Sequence, residues 1–413
     1  MSCGQSELAE RNKHSLGLEV VPIYSPPFWR MQNEALQLVG RFLMTDADPV
    51  LVFGTGTGGI EAALNSILEP RDRFLVAHNG LFGEIMSTLV RRVGAESVEV
   101  RFELGTPVDP DVVARALRDH QGIKGIGLVQ SETSTGVRNP VRELGALARE
   151  HNALFVVDAV SSFASEELLV DEWGVDLCVV NGQKCLGAPQ GLSVVTVSPA
   201  AWQAMRSRRT QIPGFYMNLL ACWDYLRMAT TEEQNWQAGR IVNRLQLEEA
   251  PHPASPSFVL LKGLWASLRD LQEEGLDACI LRHQTAGLAV RTAVESLGLE
   301  RMCKDARFAD NAVTAVFLPD TIDDYTLRRY LFERYGVILG DANMVSWDDY
   351  RRQIGRNYVR IGTMAGAACF HKVQYAVFAL GMSLMGLGAP VTASAIGEAV
   401  KRVQEVYAGR SML

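Results

Sequence analysis

The sequence predicts an α/β fold: a mostly parallel sheet with helices on both faces, followed by a smaller C-terminal α+β domain. Two observations carry this. Short apolar runs bounded by Gly, Asn, Asp or Ser alternate with segments whose apolar residues recur at three- and four-residue spacing. Beyond residue 275 that alternation gives way to a few strand-like runs among long helical patterns. The first pattern builds a parallel sheet, because each crossover between parallel strands is long enough to hold a helix.

In chain order, the runs PVLVFGTG (49–56), RFLVAHNG (73–80), GIGLVQSE (125–132), ALFVVDAV (153–160), DLCVVNG (176–182) and GLSVVTVS (191–198) read as strands. GIEAALNSIL (59–68), GEIMSTLVRRVG (83–94) and VRELGALAREHN (141–152) read as the helices between them. The segment 264–298, LWASLRDLQEEGLDACILRHQTAGLAVRTAVESLG, reads as one long amphipathic helix of the kind that links domains. Strand-like AVTAVFLP (312–319), GVILGD (336–341) and YVRIG (358–362) follow, with a helix over DDYTLRRYLFERYG (323–336).

Composition excludes several functions. The chain has 413 residues, 47% hydrophobic and 21% charged, with a net charge of −7. That is enough for about two domains and offers no basic footprint for nucleic acid or an anionic membrane. Neither an apolar leader nor an Arg-rich amphipathic pattern opens the chain, so a cytoplasmic protein is expected. The most apolar later segment, YAVFALGMSLMGLGAPV (375–391), is Gly-rich and broken by Pro390, and reads as a buried helix and turn rather than a membrane span. Seven cysteines without a CxxC pair, and seven histidines without an HxxxH pair, support neither a disulfide framework nor a metal centre.

In sheets of this kind ligands sit beyond the carboxyl ends of the strands. Polar residues gather there: Gly54-Thr55-Gly56-Thr57, Glu132-Thr133-Ser134, Asp158 and Gln183-Lys184. FGTGTGGIEAAL closes a strand-to-helix turn with Gly and Thr, either an anion cradle or a tight turn with Thr caps; it lacks a P-loop Lys and the GxGxxG spacing. Asp158 directly follows a buried strand, where an ionised carboxylate needs a partner such as a protonated ring nitrogen, or else serves as a helix cap or structural ion pair. Lys184 is the one charge between Asp176 and Arg206. Alone it could be a snorkelling surface lysine; beside the cradle and the carboxylate it reads as a nucleophile of lowered pKa. Phosphate pocket, carboxylate and amine are the groups that hold pyridoxal phosphate.

The motifs TGTGGIEAAL, HNGLFGE, SETSTGVRNP, VVDAVSSFAS, GQKCLGAPQGL and YVRIGTMAG, in that order and spacing, make nearly the whole chain resemble the class V, fold-type I pyridoxal-phosphate aminotransferases. The alanine:glyoxylate (serine:pyruvate) and pyridoxamine:pyruvate enzymes are the branches it is most similar to. The resemblance implies an N-terminal arm over the active site (1–18), a large cofactor-binding domain (19–274) around a seven-stranded-type sheet, and a small C-terminal domain (275–413).

It further implies Thr55, Gly56 and Thr57 as the phosphate cradle with Gln183 beside it, and Phe82 and Val160 on the two faces of the cofactor ring. Thr133 would lie near the phenolic oxygen, Asp158 would face the ring nitrogen, and Lys184 would carry the cofactor as a Schiff base. Arg360 would bind the substrate carboxylate, and a second subunit would contribute His252 and Ser255 to the phosphate site of a homodimer. Relatives begin with a Gly-Pro-rich loop; here CGQS (3–6) takes its place, which puts Gly4 and Gln5 at the substrate. The segment before Arg360 is longer than in the alanine:glyoxylate branch, adding Trp347, Asp348, Asp349, Arg351, Arg352 and Arg356, either a solvated charged loop or a changed substrate pocket. The C-terminal segment is more similar to the pyridoxamine:pyruvate branch, yet the TGTG cradle implies a tightly held phosphate cofactor. The expected activity is transfer of an amino group from a small amino acid to a 2-oxo acid such as pyruvate or glyoxylate. The rivals are another pyridoxal-phosphate reaction (elimination, decarboxylation, retro-aldol cleavage or desulfuration) and a nonenzymatic binding module that kept the fold.

Overall fold

A computed structural model of the chain describes residues 1–4, 6–15, 17, 20–23, 25–238, 255–342 and 354–410. The central sheet has seven strands: β1 (Asp48–Val52), β2 (Arg73–His78), β3 (Glu96–Arg101), β4 (Ile123–Val129), β5 (Leu154–Asp158), β6 (Leu177–Asn181) and β7 (Ser193–Val197). Their order across the sheet is β1-β7-β6-β5-β4-β2-β3. β7 runs antiparallel to both its neighbours, and the remaining pairs are parallel. β6 and β7, in the interior of the sheet, are Val-rich and buried along their whole length, as strands covered on both faces must be.

Six of these strands coincide with the apolar runs of the sequence. The seventh, β3, escapes that pattern because it is an edge strand, ESVEVR, in which polar Ser97, Glu99 and Arg101 alternate with Val98 and Val100, its only buried residues. Helices α1 (Pro26–Phe42), α2 (Gly56–Ile67), α3 (Leu81–Arg92), α4 (Pro110–Asp119) and α5 (Val141–Glu150) precede α6 (Pro199–Arg206) and α7 (Leu219–Gln237). A continuous apolar core joins the sheet to these helices and to α8 (Phe258–Glu274).

The expected long linking helix is two helices. α8 ends and α9 (Leu276–Ser296) begins at Gly275, whose φ of +87° and ψ of 138° leave the helical region. A residue without Cβ enters that conformation at little cost, so the chain turns there. From α9 onward a second apolar cluster forms around Val290, Val294, Leu327, Val359, Val377 and Leu380. It joins α9, α10 (Asp324–Tyr335), α11 (Phe370–Gly386) and α12 (Ala393–Arg410) to an antiparallel pair, β8 (Val313–Phe317) and β9 (Tyr358–Gly362). GVILGD is not a strand. Gly336 closes α10 in the left-handed region (φ +64°), and the segment pairs with β9 through an isolated bridge at Gly340, which exchanges two backbone hydrogen bonds with Arg360. The apolar 375–391 segment is the body of α11 and the turn after it, buried on the face of Val377, Leu380 and Leu384 but with Tyr375 and Phe378 exposed. Among the described residues no helix is long and apolar enough to cross a membrane.

Candidate active site

The carboxyl ends of β1, β4, β5 and β6 open onto one cavity of about 330 Å³. Such a volume suits a cofactor-sized ligand. At the end of β1 the chain turns straight into α2. Thr55 is the N-cap but makes no side-chain capping bond, and the first turn carries no acidic residue. The N–H groups of that turn therefore face the cavity with the positive end of the helix dipole behind them, the arrangement that binds phosphate. Gly56 is required by contact: a Cβ there would lie 2.6 Å from Val160 Cγ2 and 2.8 Å from its Cγ1. Thr55, Gly56, Thr57 and Val160 all line the cavity.

Asp158 ends β5 with a 5% exposed side chain. Its Oδ1 accepts from Val160 N at 2.9 Å. Burial pushes its pKa from 3.8 up to about 6; the Val160 bond opposes the rise and nearby Glu132 adds to it. A carboxylate so placed favours a cationic partner, and none of the described side chains forms an ion pair with it.

Beyond β6, Asn181 Oδ1 accepts from Gln183 N at 2.9 Å and fixes the turn that delivers Lys184. Lys184 is 7% exposed, and its Nζ donates to Cys3 O at 2.7 Å. Burial lowers its pKa, and the Arg360 guanidinium lowers it further. That contact brings the CGQS segment to the cavity. Ser6 N donates to Gln183 O at 3.0 Å, Ser6 Oγ to Lys184 O at 2.6 Å, and Gly362 N to Met1 O at 2.9 Å, so the start of the chain bridges the large and small clusters above the lysine.

Phe82, Asp158, Gln183, Lys184 and Gly4 join the cradle as lining residues, the apolar Ile60, Ile85 and Val129 form part of the wall, and its other polar members are Ser131, Ser161 and Gln190. The last three were not anticipated; they are small or neutral residues that pattern alone does not set apart. Thr133 and Arg360 do not line the cavity. Arg360 is 2% exposed and held from two sides: Nε donates to Asp341 O at 2.9 Å, Nη2 lies 3.4 Å from Asp341 Oδ1, and Nη1 lies 3.4 Å from Thr133 O. Ser255 is exposed and does not line the cavity. Gln5, His252, Trp347, Asp348, Asp349, Arg351 and Arg352 lie outside the described residues, whereas Arg356 pairs with Glu300 at 2.6 Å and stacks over Phe317.

A family model of the class-V aminotransferases matches residues 25–239, which include the cradle, Phe82, Asp158 and Lys184. The chain belongs to the class-V aminotransferases. A serine–glyoxylate aminotransferase of Arabidopsis thaliana is 34% identical over 303 residues, 72% of this chain and 70% of that protein. Among solved structures, pyridoxamine-pyruvate aminotransferase from Mesorhizobium loti superposes with a TM-score of 0.87 at 26% identity, covering 99% of this chain and 96% of that one. Ureidoglycine-glyoxylate aminotransferase from Bacillus subtilis superposes with a TM-score of 0.86 at 26% identity, covering 98% and 97%. The fold is thus fold-type I, and the chain is a pyridoxal-phosphate-dependent transaminase.

The cavity of this class-V aminotransferase suits its cofactor on physical grounds. The uncapped start of α2 suits a phosphate, and buried Asp158 suits a protonated ring nitrogen. Two buried polar side-chain atoms, Gln183 Oε1 at the cavity wall and Thr133 Oγ1, have no hydrogen-bond partner among the described residues. Buried polar atoms left unmatched cost free energy that a ligand can recover.

Proposed function

We propose that the chain is a homodimeric, cytoplasmic transaminase that passes the amino group of a small amino acid to pyruvate or glyoxylate. The observation that carries this is Lys184: a buried amine of lowered pKa, sharing one cavity with the uncapped start of α2 and the carboxylate of Asp158. The Arabidopsis and Bacillus relatives are named for glyoxylate and the Mesorhizobium one for pyruvate, which supports a small 2-oxo acid as acceptor.

Pyridoxal phosphate, when bound, supplies a ring that draws electron density from the donor's Cα. In this reading the first-turn amides of α2, with Thr55, Thr57 and Gln183, hold its phosphate. Phe82 and Val160 would cover the two faces of the ring, and Asp158 would hold a proton at the ring nitrogen. The Thr133 hydroxyl serves the phenolic oxygen. Lys184 would anchor the cofactor, and its Nζ, whose pKa desolvation lowers, would take up the proton from the donor's Cα. Arg360 receives the donor's carboxylate by giving up Asp341, a contact for which a planar guanidinium is suited. Gly4 and Gln5 close the substrate side. The division into arm, cofactor domain and small domain at residues 18 and 274 belongs to the same proposal.

A second copy completes the site. Phe215 and Tyr216 are 53% and 43% exposed, Tyr216 Oη donates to Phe53 O at 2.6 Å beside the cradle, and Ser255, which is exposed, follows in sequence with His252 as the residues a partner would receive. The seven unpaired cysteines suit a reducing compartment. The test is a screen of amino donors against pyruvate and glyoxylate with the holoenzyme. Formation of alanine or glycine in step with the donor's oxo acid is expected; release of ammonia or carbon dioxide without amine transfer overturns the proposal.

A further inference from the structure

Phe82 stands at the second position of α3, so whatever fixes the first turn of α3 fixes Phe82. The N-cap residue is Gly80, which has no side chain to satisfy the first amides. The space its Cβ would take is filled: that atom would fall 2.4 Å from Glu132 Cγ and 2.5 Å from both Glu132 Cδ and Ser134 Oγ. Glu132 Oε2 accepts from Phe82 N at 3.0 Å and Gly83 N at 3.2 Å. Its Oε1 accepts from Ser134 N at 3.1 Å and Ser134 Oγ at 2.5 Å. Ser134 Oγ in turn accepts from Leu81 N at 3.0 Å. Three successive amides of α3 are thus held by a strand end 50 residues away in sequence.

The side chain of Glu132 is 0% exposed, and four donors converge on its two oxygens, the pattern that accommodates a carboxylate. Burial pushes its pKa up while the donors oppose the rise. The start of α3 has nowhere else to sit: a Cβ on Gly83 would lie 2.2 Å from His78 Cβ at the end of β2. Glu132 therefore sets the height of the turn that presents Phe82 to the cavity, although it does not line that cavity itself.

We propose that Glu132 is a positioning residue that holds Phe82 against the cofactor ring through the first-turn amides of α3. This rests on the transaminase reading for its cofactor and deepens it. What matters is reach, a carboxylate oxygen delivered to Phe82 N and Gly83 N, more than charge.

Three substitutions separate the two. Glu132→Asp keeps the charge but withdraws the oxygens by a methylene. Glu132→Gln keeps the reach, with its one carbonyl oxygen toward Phe82 and Gly83 and its amide toward Ser134 Oγ, at the cost of the acceptor for Ser134 N. Glu132→Ala removes both. The readouts are the Kd for pyridoxal phosphate, the circular dichroism of the bound cofactor's visible band and the melting temperature. Glu132→Ala and Glu132→Asp are expected to raise the Kd by about 10- to 100-fold and to diminish the dichroic band, while Glu132→Gln recovers most of both. In a Phe82→Ala background, Glu132→Asp should add little further loss of affinity, as for two groups acting in series.

The reverse order, with Asp near wild type and Gln as poor as Ala, overturns the proposal. So does a lower melting temperature with unchanged Kd and dichroism, or an undiminished effect in the Phe82→Ala background. If Glu132→Ala does not fold, the Asp and Gln pair decides. Because these readouts report cofactor binding, they stand whether or not amine transfer is observed; failure of the donor screen counts against the function, not against this role.

Discussion

Asp158→Asn tests the electrostatics of the site in a quantity other than turnover. The wild-type carboxyl is buried, with a pKa of about 6 against 3.8 for an unperturbed group. A carboxyl whose folded-state pKa is raised holds its proton in the folded chain and loses it in the unfolded one across that interval. Stability contributed by the protonated form is thus complete below about pH 4, falls as the pH rises to about 6, and is gone above it. Two pH units correspond to about 3 kcal/mol. The cofactor-free protein carries that cost at neutral pH, and a protonated ring nitrogen offsets it when the cofactor binds.

Asparagine has nearly the same shape, retains an acceptor for Val160 N and has no charge to desolvate. Cofactor-free Asp158→Asn should therefore be more stable than cofactor-free wild type by about 3 kcal/mol near pH 7.5, with the difference vanishing near pH 4. With cofactor added the order should reverse, and kcat should fall by about 100-fold or more, as when one preorganised electrostatic contact is removed from a reacting centre. Urea denaturation of the cofactor-free proteins across that pH range is the assay. A variant no more stable than wild type at pH 7.5, or an advantage that persists undiminished at pH 4, refutes the argument.

Three further outcomes follow from the same geometry. Gly56→Ala should weaken cofactor binding by about 10- to 100-fold, because its Cβ would fall within 2.6 Å of Val160, and Gly56→Ala with Val160→Ala should restore part of the loss; equal Kd values by titration for wild type and Gly56→Ala would contradict the contact. Arg360→Lys should raise the KM of the amino donor much more than it lowers cofactor affinity, since a point charge replaces a bidentate fork; steady-state kinetics beside a cofactor titration shows the split. Asp341→Ala should lower the donor KM, because it removes the carboxylate that competes for Arg360; an unchanged KM would mean that the 3.4 Å pair does not hold the arginine back.

Much of the site is local, and local features are legible in a sequence. Thr55 to Thr57, Asp158 and Lys184 each end a strand, and the rule that parallel-sheet ligands sit beyond strand ends brings them together without coordinates. What pattern misses is non-local or weakly patterned. β3 is hidden because an edge strand mixes charge with apolar residues. The break at Gly275 is hidden because the flanking helices keep a helical spacing on both sides, and one glycine does not announce its φ. Glu132 was visible at the end of β4, but its partners lie 50 residues back in a helix whose cap is a glycine. The bond from Lys184 to Cys3 spans 181 residues and joins a strand end to a segment with no periodicity at all. Arg360 was legible as a residue and not as an environment: the partner that occupies it, Asp341, belongs to a run whose composition suggests a strand.

The central claim is that the buried amine at the end of β6 carries the cofactor. Borohydride reduction of the holoenzyme, followed by proteolysis and peptide mass mapping, tests it most directly. The account predicts the cofactor fixed to the peptide that contains Lys184, and no visible cofactor band or turnover in Lys184→Ala at an unchanged far-ultraviolet spectrum. A label on any other lysine, or a Lys184→Ala protein that keeps both the band and full turnover, would contradict it.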